Sequence, residues 1–120
     1  MKSTELTELA RAFVALCNAH RIDLVMGLFA AGARYNADSG NELRGRAAIG
    51  DMLKGLRADY PDIYWQTDNF RCDDHRVSFD FTVRASATDD NAALERRGSE
   101  HIEYTADGSI KKIEVEILGA

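Results

Sequence analysis

Two different periods of apolar residues divide the chain into a helical first half and an extended second half. Near the N-terminus, apolar side chains recur every three or four residues, which predicts a helix with the buried stripe Leu6, Leu9, Phe13, Leu16 and Cys17. Ser3 or Thr4 is the predicted N-cap, and Glu5 lies in the first turn. This helix is expected to end near residues 18–21.

Two further helices are predicted before the extended half begins. Asp23 can cap a short second helix, and Gly32 fits its end. The predicted buried side of that helix is Leu24, Val25, Leu28 and Phe29. After a short extended piece over residues 33–36 and a loop over 37–45, a third helix is predicted over Arg46–Asp59. It carries one apolar face formed by Ile49, Met52, Leu53 and Leu56.

After Pro61 the period changes to two, which is typical of half-buried strands. Val77, Phe79, Phe81 and Val83 alternate with polar residues. Residues 63–72 are also extended, but their parity changes, so we expect a bulge or bend between Trp65 and Phe70. Two more strands, over 94–105 and around 113–117, complete a meander. Helices followed by antiparallel strands predict one α+β domain spanning 1–120, with the helices on one face of a curved sheet.

Glu100 is the exception among the inward-facing strand residues. Strand alternation places it on the side of Ile102 and Tyr104. It places His101 on the opposite side, where Ser99 and Glu103 are its expected hydrogen-bond partners. Burial among apolar groups disfavours a charged carboxylate, and a neutral acid can donate a hydrogen bond to an oxygen that gains negative charge. Alternatively, Glu100 pairs with Arg96 on the same face of the strand or reaches water.

Composition and charge argue against several classes of function. The net charge is −5 with scattered basic residues, which argues against nucleic acid and anionic membranes as partners. Two cysteines, no apolar run of membrane-spanning length and no signal-peptide pattern favour a reduced cytoplasmic setting. The segment CDDH at 72–75 lies in a predicted tight turn, where its side chains cannot converge on a metal. We therefore expect no metal and no cofactor, since a Gly-rich phosphate loop is also missing.

Three segments resemble the nuclear transport factor 2-like superfamily. They are FVALCNAHRIDLVMGLFAAGARY at 13–35, LRGRAAIGDML at 43–53 and TADGSIKKIEVEI at 105–117. The resemblance implies a cone-shaped fold, in which N-terminal helices pack in the concave face of a strongly bent, mainly antiparallel sheet. It also implies an apolar pocket and a homodimer formed through the outer face of the sheet. Among its branches, ketosteroid isomerases and SnoaL-like cyclases are the most similar.

The resemblance assigns catalytic positions only in part. The isomerase pattern has an acid on the third long strand, which matches Glu100. Its helix tyrosine falls on Phe13, and its base falls on Ala37, with Asp38 one residue later. Glu100 and Asp38 are therefore the predicted catalytic residues of an incomplete steroid isomerase set.

Two hypotheses for function follow from this assignment. The first is a cofactor-independent isomerase, cyclase or lyase that transfers a proton on a small apolar, oxygen-bearing ligand. The second is a non-catalytic ligand-binding module or dimeric scaffold of the same fold. The predicted ligand-binding residues are Phe13, Cys17, Tyr35, Met52, Leu53, Phe79, Phe81, Val83, Ile102, Tyr104, Val115 and Ile117.

Overall fold

A computed structural model describes residues 1–37 and 40–118, which form three helices and six strands. The helices are α1 (Ser3–Asn18), α2 (Ile22–Met26) and α3 (Arg46–Asp59). The strands are β1 (Phe29–Asn36), β2 (Glu42–Arg44), β3 (Tyr64–Asp73), β4 (Arg76–Ala85), β5 (Leu94–Tyr104) and β6 (Ile110–Leu118). The element types and their order confirm the predicted α+β fold.

One open sheet contains all six strands in the order β2-β1-β6-β5-β4-β3. Every neighbouring pair is antiparallel except β1 and β6, which run parallel. Helix α1 packs against β3 and β4, α3 packs against β1 and β2, and α2 contacts both of the longer helices. The three helices therefore cover one face of the sheet, and the opposite face is called the outer face below.

The start of α1 differs from the prediction. The helix begins at Ser3 and its cap position is Lys2, so the assignment of Ser3 or Thr4 as N-cap is wrong. The backbone N–H of Lys2 donates to the Glu5 carboxylate at 3.1 Å. Glu5 thereby satisfies an N–H group that would otherwise lack a partner at the helix start.

The second helix is shorter than predicted because β1 begins earlier. Helix α2 ends at Met26, Asp23 lies in its first turn rather than at its cap, and Gly32 lies within β1. Leu24 is 46% exposed and does not contribute to the core. The N–H of Ile110 donates to the carbonyl of Leu28 at 2.8 Å, at the point where β1 and β6 begin to pair. Pairing with a distant strand thus overrides the local helical pattern.

The predicted irregularity in β3 is confirmed. The register with β4 shifts between Asp68 and Arg71, and Asn69 lies between them with φ of 55°. An extra residue at this point reverses which side chains face the helices. The side chains of Trp65 and Phe70 can therefore both lie towards the core despite their opposite parity in the sequence.

The core lies between the helices and the covered face of the sheet. Its largest fully buried side chains are Phe29, Phe79, Leu6, Ile49, Ile102, Ile110, Ile113, Val25 and Val77. Gly50 allows α2 to approach α3 closely, because a Cβ at this position would lie 2.2 Å from the Met26 sulfur. Its cost to helix propensity is therefore offset by helix packing.

Candidate functional site

Glu100 lies at the centre of the sheet and faces the helices. Its position on β5 pairs with Phe79 on β4 and with Val115 on β6. The residue is 6% exposed, which confirms the inward orientation predicted from strand alternation. Arg96 is exposed and donates to the carbonyl of Glu95 at 3.0 Å, so it does not neutralise Glu100.

The environment of Glu100 favours its neutral form. Burial raises the pKa of this carboxyl group from 4.5 to about 8. Within residues 1–37 and 40–118, no side chain forms a hydrogen bond or an ion pair with it. No partner in this part of the chain therefore compensates the free-energy cost of burying an ionised Glu100 carboxylate.

Three weakly acidic groups surround Glu100. They are the Cys17 thiol on α1 and the hydroxyls of Tyr35 on β1 and Tyr104 on β5. Burial raises the pKa of each group above its ordinary value, and negative charge on Glu100 raises it further. These groups therefore remain protonated at neutral pH and are available as hydrogen-bond donors.

A small hollow, called the inner cavity, lies directly beside Glu100. It is lined by Phe13, Val14, Cys17, Tyr35, Leu53, Trp65, Phe79 and Glu100. The centre of a water molecule can move within about 20 Å³ of this space. About 10–15 Å³ by this measure is needed to hold one water, so the inner cavity accommodates water but no larger molecule.

Helix periodicity and a side-chain clamp position the wall of the inner cavity. Phe13 and Cys17 are four residues apart on α1, so they face the same direction. Asn18 ends that helix, accepts from the backbone N–H of Trp65 at 2.8 Å and donates to its carbonyl at 2.9 Å. This pair of hydrogen bonds fixes the end of α1 against β3 and holds Trp65 at the cavity wall.

A second and larger space, called the outer cavity, lies between α3 and the strands β1, β2 and β6. It is lined by Tyr35, Ala37, Asn41, Leu43, Met52, Leu56, Val115 and Ile117. Its volume is about 540 Å³ by the same measure, within the roughly 300–1,000 Å³ typical of ligand sites. Tyr35 lines both cavities and separates them.

The predicted site residues fall into three groups. Those at the inner cavity are Phe13, Cys17, Tyr35, Leu53, Phe79 and Glu100. Those at the outer cavity are Tyr35, Met52, Val115 and Ile117. Those that pack in the core and line neither cavity are Phe81, Val83, Ile102 and Tyr104. Asp38 lies outside the described residues, and its role as a base stays a prediction.

Sequence reasoning missed part of both cavity walls. Val14 and Trp65 line the inner cavity, and Leu43 and Leu56 line the outer one. Leu56 belongs to the predicted apolar face of α3 and could have been found from its spacing to Met52. Trp65 could not be assigned, because the bulge that follows it obscures the parity of β3.

His101 lies on the outer face, as predicted, but with different partners from those expected. It shares a 2.6 Å hydrogen bond with Ser78 through Nδ1, and its Nε2 lies 3.0 Å from the Glu116 carboxylate. The predicted partners were Ser99 and Glu103 on its own strand. The observed partners come from β4 and β6, and cross-strand neighbours can be identified only once the pairing is known.

The linked Ser78, His101 and Glu116 side chains have the residue types of a hydrolytic triad. Such a triad also requires free N–H donors to stabilise an oxyanion. Because β5 lies between β4 and β6, its backbone amides pair with both neighbours. No such donor pair is available along this described part of the sheet, so the three residues are better explained as cross-strand contacts.

Two further kinds of site were sought among the described residues, a metal-binding group of side chains and a membrane-spanning helix. No group of three or more His, Cys, Asp or Glu side chains there could hold a metal ion. The Cys72 thiol instead lies 3.6 Å from the carbonyl of Asp74 within the turn. Within 1–37 and 40–118, no helix combines the length and apolar character needed to cross a bilayer.

Comparison with solved structures supports the fold. A protein from Xanthomonas campestris assigned as a polyketide cyclase is 20% identical with a TM-score of 0.82, and the match covers 93% of this chain and 89% of that one. The epoxide hydrolase/cyclase-like enzyme SalBIII, which acts in pyran ring formation in salinomycin, is 12% identical with a TM-score of 0.88 and coverages of 97% and 92%. A protein from Kribbella flavida assigned as a ketosteroid isomerase is 18% identical with a TM-score of 0.79 and coverages of 97% and 80%.

At these identities the solved structures establish likeness of fold alone. No curated protein matches the chain. The family model of the SnoaL-like domain matches residues 10–113, which include the second half of α1, the whole of α2 and α3, the strands β1 to β5 and the start of β6. The chain therefore belongs to the SnoaL-like domain family, within the nuclear transport factor 2-like superfamily whose segments its sequence resembles.

Proposed function

We propose that this protein binds a small apolar molecule bearing an oxygen and transfers a proton on it, in an isomerase or cyclase type of reaction. Glu100 is the proposed acid. The observation that carries the proposal is the placement of this carboxyl group, which is 6% exposed and lines the inner cavity. With a pKa of about 8, the group is mostly protonated at neutral pH and can donate its proton.

The proposed chemistry returns the proton to the enzyme. Glu100 donates its proton to a carbonyl oxygen of the ligand, and the ligand then loses a proton from the adjacent carbon to the Glu100 carboxylate. The product is the enol, and Glu100 ends in its starting form. In a cyclisation, an internal hydroxyl of the ligand bonds to the activated carbon and returns its proton to Glu100. Neither cycle requires a cofactor.

Tyr35 is the proposed second donor. The ketosteroid isomerase pattern has a tyrosine where this chain has Phe13, and Phe13 lines the inner cavity without a group that could donate. The Tyr35 hydroxyl experiences the charge of Glu100 and lines the same cavity from β1. Two donors on one oxygen would stabilise the negative charge that develops there.

Structures with the same fold support the reaction class. SalBIII acts in pyran ring formation and the Xanthomonas campestris protein is assigned as a polyketide cyclase. Both activities form a ring, and a positioned proton donor can assist such a step.

The alternative is a binding module without catalysis. Phe13 stands where the ketosteroid isomerase pattern places a catalytic tyrosine, and the inner cavity of about 20 Å³ holds only water. A protein that binds its ligand wholly in the outer cavity would have these features. Binding without turnover is the observation that would select this alternative.

Deuterium exchange into 2-tetralone, an apolar ketone with exchangeable hydrogens beside its carbonyl, tests the proposal. Proton NMR in D₂O would follow exchange with the wild-type protein, Glu100→Gln and the matched control Glu103→Gln on the outer face of the same strand. We expect the wild type and the control to accelerate exchange and Glu100→Gln to lose about 100-fold or more of that acceleration. Equal rates for Glu100→Gln and the wild type would refute the proposal. If the wild-type protein bound the ketone without accelerating exchange, the alternative of a non-catalytic binding module would be supported.

A further inference from the structure

The two cavities meet at one side chain, and this arrangement bears on the shape of the ligand. The inner cavity holds the acid but has room only for water, at about 20 Å³. The outer cavity has the volume of a ligand site, at about 540 Å³, but does not include Glu100 among its lining residues. Tyr35 is common to both.

We infer that the ligand is an apolar body with an oxygen at one end, that its body occupies the outer cavity, and that the Tyr35 ring must move for the oxygen to reach Glu100, with the Tyr35 hydroxyl staying beside that oxygen. This inference rests on the proposed function for the identity of the reacting end. The body is expected to be a hydrocarbon ring system or chain, because the outer cavity is lined mainly by the aliphatic side chains Leu43, Met52, Leu56, Val115 and Ile117.

Tyr35 is suited to act as a movable wall. The residue as a whole is half-buried, whereas its hydroxyl is enclosed, and this burial raises the pKa of the hydroxyl. Its side chain is set by two rotatable torsions, and a rotation about the first would displace the ring from the boundary. In the closed position its hydroxyl lies within the electrostatic influence of both Glu100 and Cys17.

A second route to the inner cavity is less suited to an apolar ligand. Val14 and Trp65 line the inner cavity and also a groove between α1 and β3. That groove is bordered by the polar side chains Arg11, Asn18, Gln66 and Thr67. The backbone of Trp65 is held from two sides by Asn18, so this wall is the more firmly fixed of the two.

Matched bulky substitutions distinguish the two routes. The probe is 2-naphthol, an apolar body with one hydroxyl, and its affinity would be measured by isothermal titration calorimetry. Leu43→Trp places a bulky ring in the outer cavity and is expected to weaken binding at least tenfold. Ala15→Trp places the same side chain at the α1–β3 groove and should leave affinity within twofold. The reverse pattern would overturn the inference.

Tyr35 itself is tested by the rate of association. In stopped-flow measurements, Tyr35→Ala is expected to bind 2-naphthol about tenfold faster than the wild type, because the wall is gone. Tyr35→Phe keeps the ring and should associate at the wild-type rate. An unchanged rate in Tyr35→Ala would overturn the role of Tyr35 as a movable wall.

The binding test includes controls for variants that unfold, and its readouts do not depend on catalysis. Circular dichroism melting checks each variant, and Val115→Phe offers a second way to fill the outer cavity if Leu43→Trp unfolds. It should also weaken binding, and unchanged affinity in a folded variant counts against the inference. These readouts measure binding and need no turnover. If Glu100→Gln exchanges deuterium normally while Leu43→Trp loses binding, the proposed function fails and the ligand placement stands.

Discussion

The buried carboxyl group of Glu100 makes the stability of this protein depend on pH in a defined direction. Its pKa is about 8 in the folded protein against 4.5 for an ordinary glutamate. Between these two values the unfolded chain has released this proton and the folded chain retains it. Each pH unit in that window therefore lowers the free energy of unfolding by about 1.4 kcal/mol.

The sign and the size of the effect follow from these two pKa values. Stability from this group is fully present below about pH 4.5 and is lost as the pH rises through about 8. Between these two pKa values the free energy of unfolding falls by about 5 kcal/mol in total, at about 1.4 kcal/mol for each pH unit. Domains of this size are stable by about 5–15 kcal/mol in total, so the loss would be readily measured.

The substitution Glu100→Gln isolates this contribution. Glutamine resembles the neutral acid in shape and cannot ionise, so its variant should not lose stability through this group. Urea denaturation of both proteins from pH 5 to pH 8.5 gives the difference in unfolding free energy at each pH. We expect that difference to shift by about 4 kcal/mol in favour of the variant over this range. Any constant cost of the amide cancels, because only the change with pH is used.

Glu103→Gln is the matched control on the same strand. Glu103 lies on the outer face and is partly exposed, so it lacks the burial on which the prediction for Glu100 depends. The difference between this variant and the wild type should change little with pH. If the Glu100→Gln difference were equally flat, to within about 0.5 kcal/mol, the carboxyl group would be charged in the folded protein and the argument for Glu100 as an acid would fail.

Three further predictions concern packing and assembly. Gly98→Ala should destabilise the fold by about 1–3 kcal/mol, since its Cβ would lie 2.3 Å from the Glu116 carbonyl oxygen and 2.9 Å from Phe81; an unchanged melting temperature would contradict this. Asn18→Ala should cost about 1–3 kcal/mol in urea denaturation, because both polar backbone groups of Trp65 lose their partner, and wild-type stability would count against the clamp. We also expect a homodimer formed through the outer face, and a monomeric mass in sedimentation at micromolar concentration would exclude it.

Local pattern was sufficient to predict most of the elements and the inward direction of Glu100, but it gave the segment that contains β2 (Glu42–Arg44) as a loop. Helix α3 was predicted over Arg46–Asp59, and these are its observed bounds. Strict alternation in β4 assigned Val77, Phe79, Phe81 and Val83 to the buried face, and all four are at most 7% exposed. The same alternation in β5 separated Glu100 from His101. These features depend only on the rise and rotation per residue, which neighbouring positions in the sequence reveal.

What the sequence by itself left open was everything that depends on distant segments meeting. The start of β1 at Phe29 was set by pairing with β6, about eighty residues later, and not by the helical pattern around it. The partners of His101 came from two other strands, and the wall of the inner cavity combined residues of α1, β1, α3, β3, β4 and β5. The tertiary structure alone decided that Phe81 and Ile102 fill the core while Tyr35 separates two cavities, because free volume is what remains after all side chains have packed.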